Sequence, residues 1–455
     1  MELETQARQA PLFSRGDLRR LIVPLIIEQF LLMAVGMADT VMVTTAGEAA
    51  VSGVSLVDGI NILIIQIFSA LSTGGAVVVA QYMGREEQHN VKIASRQLLY
   101  IMTGLSLLLT AVAMVLREGI LSLIFGRVEP DVMSSALVYF LLTAAAYPFI
   151  GIYNAGAALF RAMGNSRVSM FCTLIINIIN IAVNAIFIYG FGMGAAGAGI
   201  GTLVSRIAAA VIIMVFLNRT GHGIGLADLL HIRFRWGMIR SILFVGIPNG
   251  LENGMFQVGK LLVLGLITSF GTSAVAANAI GNSIAGVVNV PGMAIGLSVI
   301  TVVGRCMGAG ETDQAALYTK KLVGLSYLCM SAMGVLLFFT AGFWVSLFHL
   351  SAEAARMAAQ VLRISAVGII VIWPLAFTLP NSLRAAGDAF YTMVVSQVTM
   401  FVCRVALSYV FACSWGLNMG LAGVWLAMVT DWVVRAAFFL LRYRRGKWKR
   451  IKVIA

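Results

Sequence analysis

Residues Ile247 to Ile267 read IPNGLENGMFQVGKLLVLGLI. The run is long enough to cross a bilayer as one helix, for which about 20 apolar residues suffice. It nevertheless carries Pro248, Glu252 and Lys260. A carboxylate at mid-membrane costs roughly 3 kcal/mol on insertion scales, so such groups face a cavity or a partner rather than lipid. Eight residues separate the two charges, about 12 Å along a helix. That is too far for the one-turn pairing of helical neighbours, so each needs another partner or water. Pro248 loosens the backbone of the same helix and predicts a bend.

Working outward, the rest of the chain is of the same kind. Its 455 residues are 60% hydrophobic and 11% charged, against about 25% charged in soluble domains. Stretches such as Leu98 to Leu116, Ser169 to Ile188 and Leu421 to Leu441 are further candidate spans. The alternating ten-residue pattern of a membrane barrel is missing. The expectation is an all-α polytopic membrane protein with about twelve transmembrane helices, each with its loop taking about 38 residues.

The net charge of +13 suggests nucleic acid only until the charges are placed. With both termini in the cytoplasm, most Lys and Arg fall in inner loops and termini. Arg117, Arg127 and Arg356 fall outside, and Arg206, Lys260, Arg363, Arg404 and Arg435 fall within spans, with Arg206, Arg363 and Arg435 expected to reach towards span ends. That is the positive-inside pattern of a multi-pass cytoplasmic-membrane protein. The tail Arg442 to Arg450, RYRRGKWKR, then reads as a basic segment against anionic lipid, with no nucleic-acid partner. The N-terminus is too polar for a cleaved signal peptide. Cys172, Cys306, Cys329, Cys403 and Cys413 show no metal or redox spacing.

The two halves of the chain repeat. Pro24 and Glu28 match Pro248 and Glu252 at a shift of 224, as Met83–Gly84 matches Met307–Gly308. RAMGN at Arg161 matches RAAGD at Arg384, and MGAAG at Met193 matches MGLAG at Met419. Two six-helix lobes in parallel orientation follow, the N-lobe over 1–218 and the C-lobe over 241–455. The polar segment 219–240 joins them as a cytoplasmic linker, its later part a candidate amphipathic surface helix. Binding sites in such repeats lie between or within the halves.

Several motifs reduce to packing. The glycines from Gly194 to Gly201 lack the strand and soluble βαβ unit of a dinucleotide site, and suit close helix contact instead. Gly259–Lys260 lacks the rest of a phosphate loop. His89, His222, His231 and His349 form no ligand cluster. With no clustered nucleophile, base or metal set, an enzyme is not expected, nor a cofactor or metal.

The residues left are intramembrane polar groups. Asp39, in GMADTVMV, has no basic neighbour in sequence, and a carboxyl there can bind a proton or cation. Asn180 and Asn184 share one face of span 5, and Thr202 adds a hydroxyl. These four form the candidate ion-coupling site. Glu28, Glu252 and Lys260 are candidates for the substrate cavity wall. Arg404 and Asp431 are expected to make a structural ion pair across helices.

Together these blocks resemble the multidrug and toxic compound extrusion (MATE) family over essentially the whole chain. The resemblance rests on MADTVMV and GEAAVSGVSL, on NIAVNAIFIYGFGMGAAGAGIGT, on FRAMGN and LRAAGD, and on GTSAVAANAI. It implies two six-helix lobes in a V and an antiporter that exports organic, often cationic, drugs in exchange for Na⁺ or H⁺. By position, Asp39 is similar to the family's first-helix coupling aspartate. Asn180, Asn184 and Thr202 fall on its N-lobe polar cluster, and Glu252 is similar to the seventh-helix carboxylate of the sodium-coupled branch. Two positions depart from that pattern. Asn184 stands where some members carry a second aspartate, and Trp373–Pro374 occupies the region of a tenth-span aspartate. The expected protein is a monomer in the lipid bilayer acting on small molecules. The alternative is a flippase for lipid-linked saccharides or other amphiphiles, with Lys260 and Arg404 holding an anionic headgroup.

Overall fold

The computed structural model describes residues 11–126, 129–219 and 232–454. Within them the chain forms twelve helices in sequence. The first six are α1 (Arg15–Thr44), α2 (Glu48–Gly84), α3 (Gln88–Phe125), α4 (Pro130–Ala162), α5 (Ser166–Asn184, continued by a π-helical turn Ala185–Gly190) and α6 (Gly194–Arg219). The second six are α7 (Trp236–Thr268), α8 (Thr272–Gly308), α9 (Thr312–Ser346), α10 (Ala352–Val371, running on through a π turn Pro374–Thr378 into Leu379–Ala385), α11 (Ala389–Thr399, a π segment Met400–Ala406, then Leu407–Ala412) and α12 (Gly420–Arg444).

Eleven of these are long and apolar enough to cross a membrane. The twelfth is α7, the helix that contains Ile247 to Ile267. Its Glu252, Lys260 and flanking amides dilute the apolar run, yet it stands among the others at similar length. Lipid is the natural partner of the outer surface, where Leu123, Val115, Phe339 and Leu328 are 87%, 80%, 78% and 70% exposed.

Local chemistry sets several helix ends. Ser14 and Asp17 form a reciprocal capping box at the start of α1, with Ser14 Oγ accepting from the Asp17 N–H. The three-residue turns after α1 and α7 end on Gly47 and Gly271, whose φ angles of 98° and 94° suit glycine alone. These glycines are also 224 residues apart, so the repeat extends to backbone conformation.

The lobes meet at the end of the bundle that carries both described chain ends. A Cβ on Gly84 would overlap the Arg305 carbonyl, and one on Gly308 would overlap that of Gln81. The repeat-matched glycines thus let α2 and α8 touch backbone to backbone. Hydrogen bonds seal the contact: Gln81 Nε2 donates to the Ala385 carbonyl at 2.8 Å and Thr301 Oγ1 to that of Arg161 at 3.1 Å. The halves also exchange ends. Leu21, Ile22 and Leu25 of α1 are buried with Ala294, Ile295 and Val299 of α8, while Met238, Ile242 and Val245 of α7 join the core of the first six helices.

Three expectations change here. Arg117 lies inside α3, which runs on to Phe125, rather than in an outer loop. The C-terminal tail folds back on the protein rather than lying free at lipid. Trp448 is buried and stacks on Tyr443 at 5.2 Å, and Ser241 Oγ donates to the Val453 carbonyl at 2.8 Å. Arg435 does not reach towards a span end; it is buried against Asp431. Most of the linker, with His222 and His231, lies outside the described residues, as does Arg127.

Candidate functional site

The N-lobe gathers its polar residues in one place. Asp39 sits about one turn before the end of α1. Asn184, completely buried on α5, donates from Nδ2 to Asp39 Oδ1 at 2.6 Å and more weakly to Asn180 Oδ1 at 3.3 Å. Gly201 of α6 permits this, because a Cβ there would overlap Asn184 Oδ1. The glycine run therefore packs against the site, and Asn184 Oδ1 is left buried with no hydrogen-bond partner among the described residues. An unpaired buried acceptor costs about 1–3 kcal/mol, so a cation or water beside it would be favoured.

A second carboxylate completes the cluster. Asp58 of α2 accepts from Tyr139 OH at 3.0 Å and from Asn61 Nδ2 at 3.4 Å, while Tyr147 OH donates to Asn61 Oδ1 at 2.9 Å. Thr202 lies close enough to the Tyr139 hydroxyl to act on it, which brings the fourth expected residue to the edge of the site. Asp58 and Arg206 both lie close enough to Asp39 for their charges to act on it. With both carboxylates ionised and Arg206 charged, the cluster carries one net negative charge. One further monovalent cation or proton would neutralise it.

Asp58, Asn61, Tyr139, Tyr147 and Arg206 were not among the residues expected from the sequence. Asp58 had a usable signal: it is a carboxylate deep in an apolar span, three residues before Asn61 on the same helix face. The tyrosines had none, since aromatic residues are ordinary in such helices.

The glutamates of the repeat have a different place. Arg161 Nη1 donates to Glu28 Oε1 at 3.0 Å, and Ser169 Oγ to Glu28 Oε2 at 2.6 Å. Arg384 Nη2 donates to Glu252 Oε1 at 2.7 Å. Each glutamate is thus held by the arginine of the matched RAMGN or RAAGD turn. Both glutamates are buried, at 1% and 7% exposure, near the closed end of the lobes. Glu28 and Glu252, expected in the wall of the substrate cavity, have their charge committed to internal ion pairs, although Glu252 Oε2 has no hydrogen-bond partner among the described residues.

The expected Arg404–Asp431 pair does not form either. Asp431 accepts both its contacts from Arg435 Nη2, one helical turn away, at 3.2 Å each. That geometry leaves Arg404 without a carboxylate, packed with its Cζ 5.2 Å from the Phe256 ring centroid. Lys260 Nζ lies 5.8 Å from the same ring and Arg435 Cζ 6.0 Å from it. The two lobes therefore differ in sign, acidic around Asp39 and basic around Phe256.

Twelve helices in two matched halves, eleven of them long and apolar enough to cross a membrane, with a polar cluster buried in each lobe, suit a non-enzymatic membrane transporter. The chain belongs to the MatE family, whose model matches residues 24–186 and 248–410, one copy per half. It is similar to a probable multidrug resistance protein NorM of Thermotoga maritima, 26% identical over 97% of this chain and 94% of that protein. An uncharacterized transporter YisQ of Bacillus subtilis is 26% identical over 98% and 97%. The fold superposes at a TM-score of 0.88 on an outward-facing multidrug resistance MATE transporter, 20% identical, over 96% of both chains.

Proposed function

We propose that the protein is a secondary antiporter of the bacterial cytoplasmic membrane, exporting organic compounds in exchange for Na⁺ or H⁺ bound in the N-lobe. The observation that carries this reading is the Asp39–Asn184 contact beside Asp58, a site one positive charge short of neutral. The positive-inside pattern places both termini in the cytoplasm on this reading, so the end at which the lobes meet faces the cytoplasm. A cation entering from outside meets Asp39 near the outer end of α1. Neutralising the cluster removes the repulsion between Asp39 and Asp58 and lets α1 and α2 repack. The lobes then exchange their closed end, and drug enters from the cytoplasm once the ion has left. Coupling requires ion and drug to favour different states, since equal affinity for both shifts nothing.

A second reading, flipping of an anionic amphiphile, is favoured by Arg404 and Lys260, which make no salt bridge among the described residues. Proteoliposomes separate the two readings. Export of a water-soluble fluorescent dye should follow an imposed Na⁺ or pH gradient and cease when that gradient is collapsed. Transport that is indifferent to both gradients, with movement of labelled lipid instead, overturns the antiport reading.

A further inference from the structure

The Phe256 cluster has more positive charge than the C-lobe balances. Phe256 and Lys260 lie one turn apart on α7, Arg404 sits in the π segment of α11, and Asp431 and Arg435 lie one turn apart on α12. Three cationic side chains thus converge within 6.0 Å of one ring centroid. Asp431 is their one anionic partner among the described residues, and both its oxygens are taken up by Arg435 Nη2. Arg404 acts on Lys260 as a like charge, while Asp431 offsets part of the charge on Arg404.

Ring contacts do not settle this account. A cation over an aromatic face gains about 0.5–2 kcal/mol, whereas an Arg or Lys held at membrane depth costs roughly 3 kcal/mol or more. Two of the three cations are 9% and 3% exposed, so water supplies little relief, and Arg435 Nε is buried with no hydrogen-bond partner among the described residues. Lys260 is the exposed member of the cluster. The neighbouring backbone is built for close approach: Gly259 leaves room for Met400, the first residue of the π segment. Interrupted helical hydrogen bonding of that kind is frequent at functional sites.

We propose that Lys260, Arg404 and Arg435 form a binding site for an organic anion, with an acidic group against the cations and an apolar body against Phe256. The site deepens the export reading by giving the transported compound an acid group, and it rests on that reading only for direction of movement, not for binding. The N-lobe takes the cation and the C-lobe the anionic compound, which keeps the two ligands on separate lobes.

The test uses the purified full-length protein in detergent, with fluorescein as an anionic probe and rhodamine 6G as a cationic one of similar ring system. Fluorescence anisotropy should show fluorescein binding that weakens by about tenfold or more in Lys260→Met and Arg404→Met, the loss expected for one charged hydrogen bond. Arg404→Lys, which keeps the charge, should recover part of it, and gel filtration checks that each variant is folded. Displacement of fluorescein by phosphatidylglycerol but not phosphatidylcholine identifies a lipid headgroup as the natural source of the anion, and lack of displacement a free organic acid. No fluorescein binding to the unaltered protein, or binding within about twofold in both Met variants, overturns the proposal. Gradient-driven export of rhodamine 6G alongside that result leaves the antiport reading standing. Lys260-dependent fluorescein binding with no gradient-driven export of either dye supports the site and overturns antiport.

Discussion

Asn184 Nδ2 lies 2.6 Å from Asp39 Oδ1, and the approach exists because Gly201 offers no side chain where Asn184 Oδ1 sits. Gly201→Ala should therefore push Asn184 off the carboxylate. Overpacking of this kind costs about 1–3 kcal/mol. Thermal unfolding of the purified protein should move down, and gradient-driven export should fall with it. Unchanged melting and export would show that the contact has room to spare.

Asp58 brings the second carboxylate, so Asp58→Asn should leave the cluster without its net negative charge. The expected result is a drop in cation-driven export of about tenfold or more, equivalent to about 1.4 kcal/mol, with expression and folding retained. Tyr139→Phe removes one of the hydrogen bonds that hold Asp58 and should give a smaller loss. Export in Asp58→Asn equal to that of the unaltered protein would remove Asp58 from the site.

The Glu28–Arg161 pair is architectural, and its energetics follow from burial. Arg161→Met strands a carboxylate that is 2% exposed, a change that costs about 3–5 kcal/mol when one partner of a buried pair is removed. Glu28→Gln in the same chain should restore most of that loss, because a neutral side chain no longer needs the arginine. Melting curves of the single and double variants check this. An Arg161→Met protein as stable as the original would contradict the assignment.

Gly84 and Gly308 close the lobes by backbone contact. Gly308→Val should hold that end apart and favour the opposite conformation. Spin labels placed on the two lobes near the terminal end should report a longer distance in the variant. The same distance in both proteins would show that the closed end tolerates the added side chain.

Much of the architecture is legible in the sequence because membrane helices announce themselves by length and polarity, and because the second half repeats the first. Pro24 with Glu28 and Pro248 with Glu252 located the repeat; their arginine partners sat in the matched turns but were not paired with them. The candidate site is only partly legible. Asp39, Asn180 and Asn184 stand out as polar residues in apolar spans, and the structure does bring them together. Tyr139 reaches Asp58 across 81 positions, a contact no local pattern signals. Asp431 illustrates the converse error. A cross-helix partner in Arg404 was expected, whereas Arg435 stood one turn away on the same helix and won by proximity.

Coupling of ion entry to export is the role proposed for Asp39. Its most direct test is export by Asp39→Asn in proteoliposomes under an imposed Na⁺ or pH gradient, with dye binding measured on the same preparation. Asp39→Asn should still bind dye but no longer export it in response to the gradient. Gradient-driven export by that variant at the rate of the unaltered protein would contradict it.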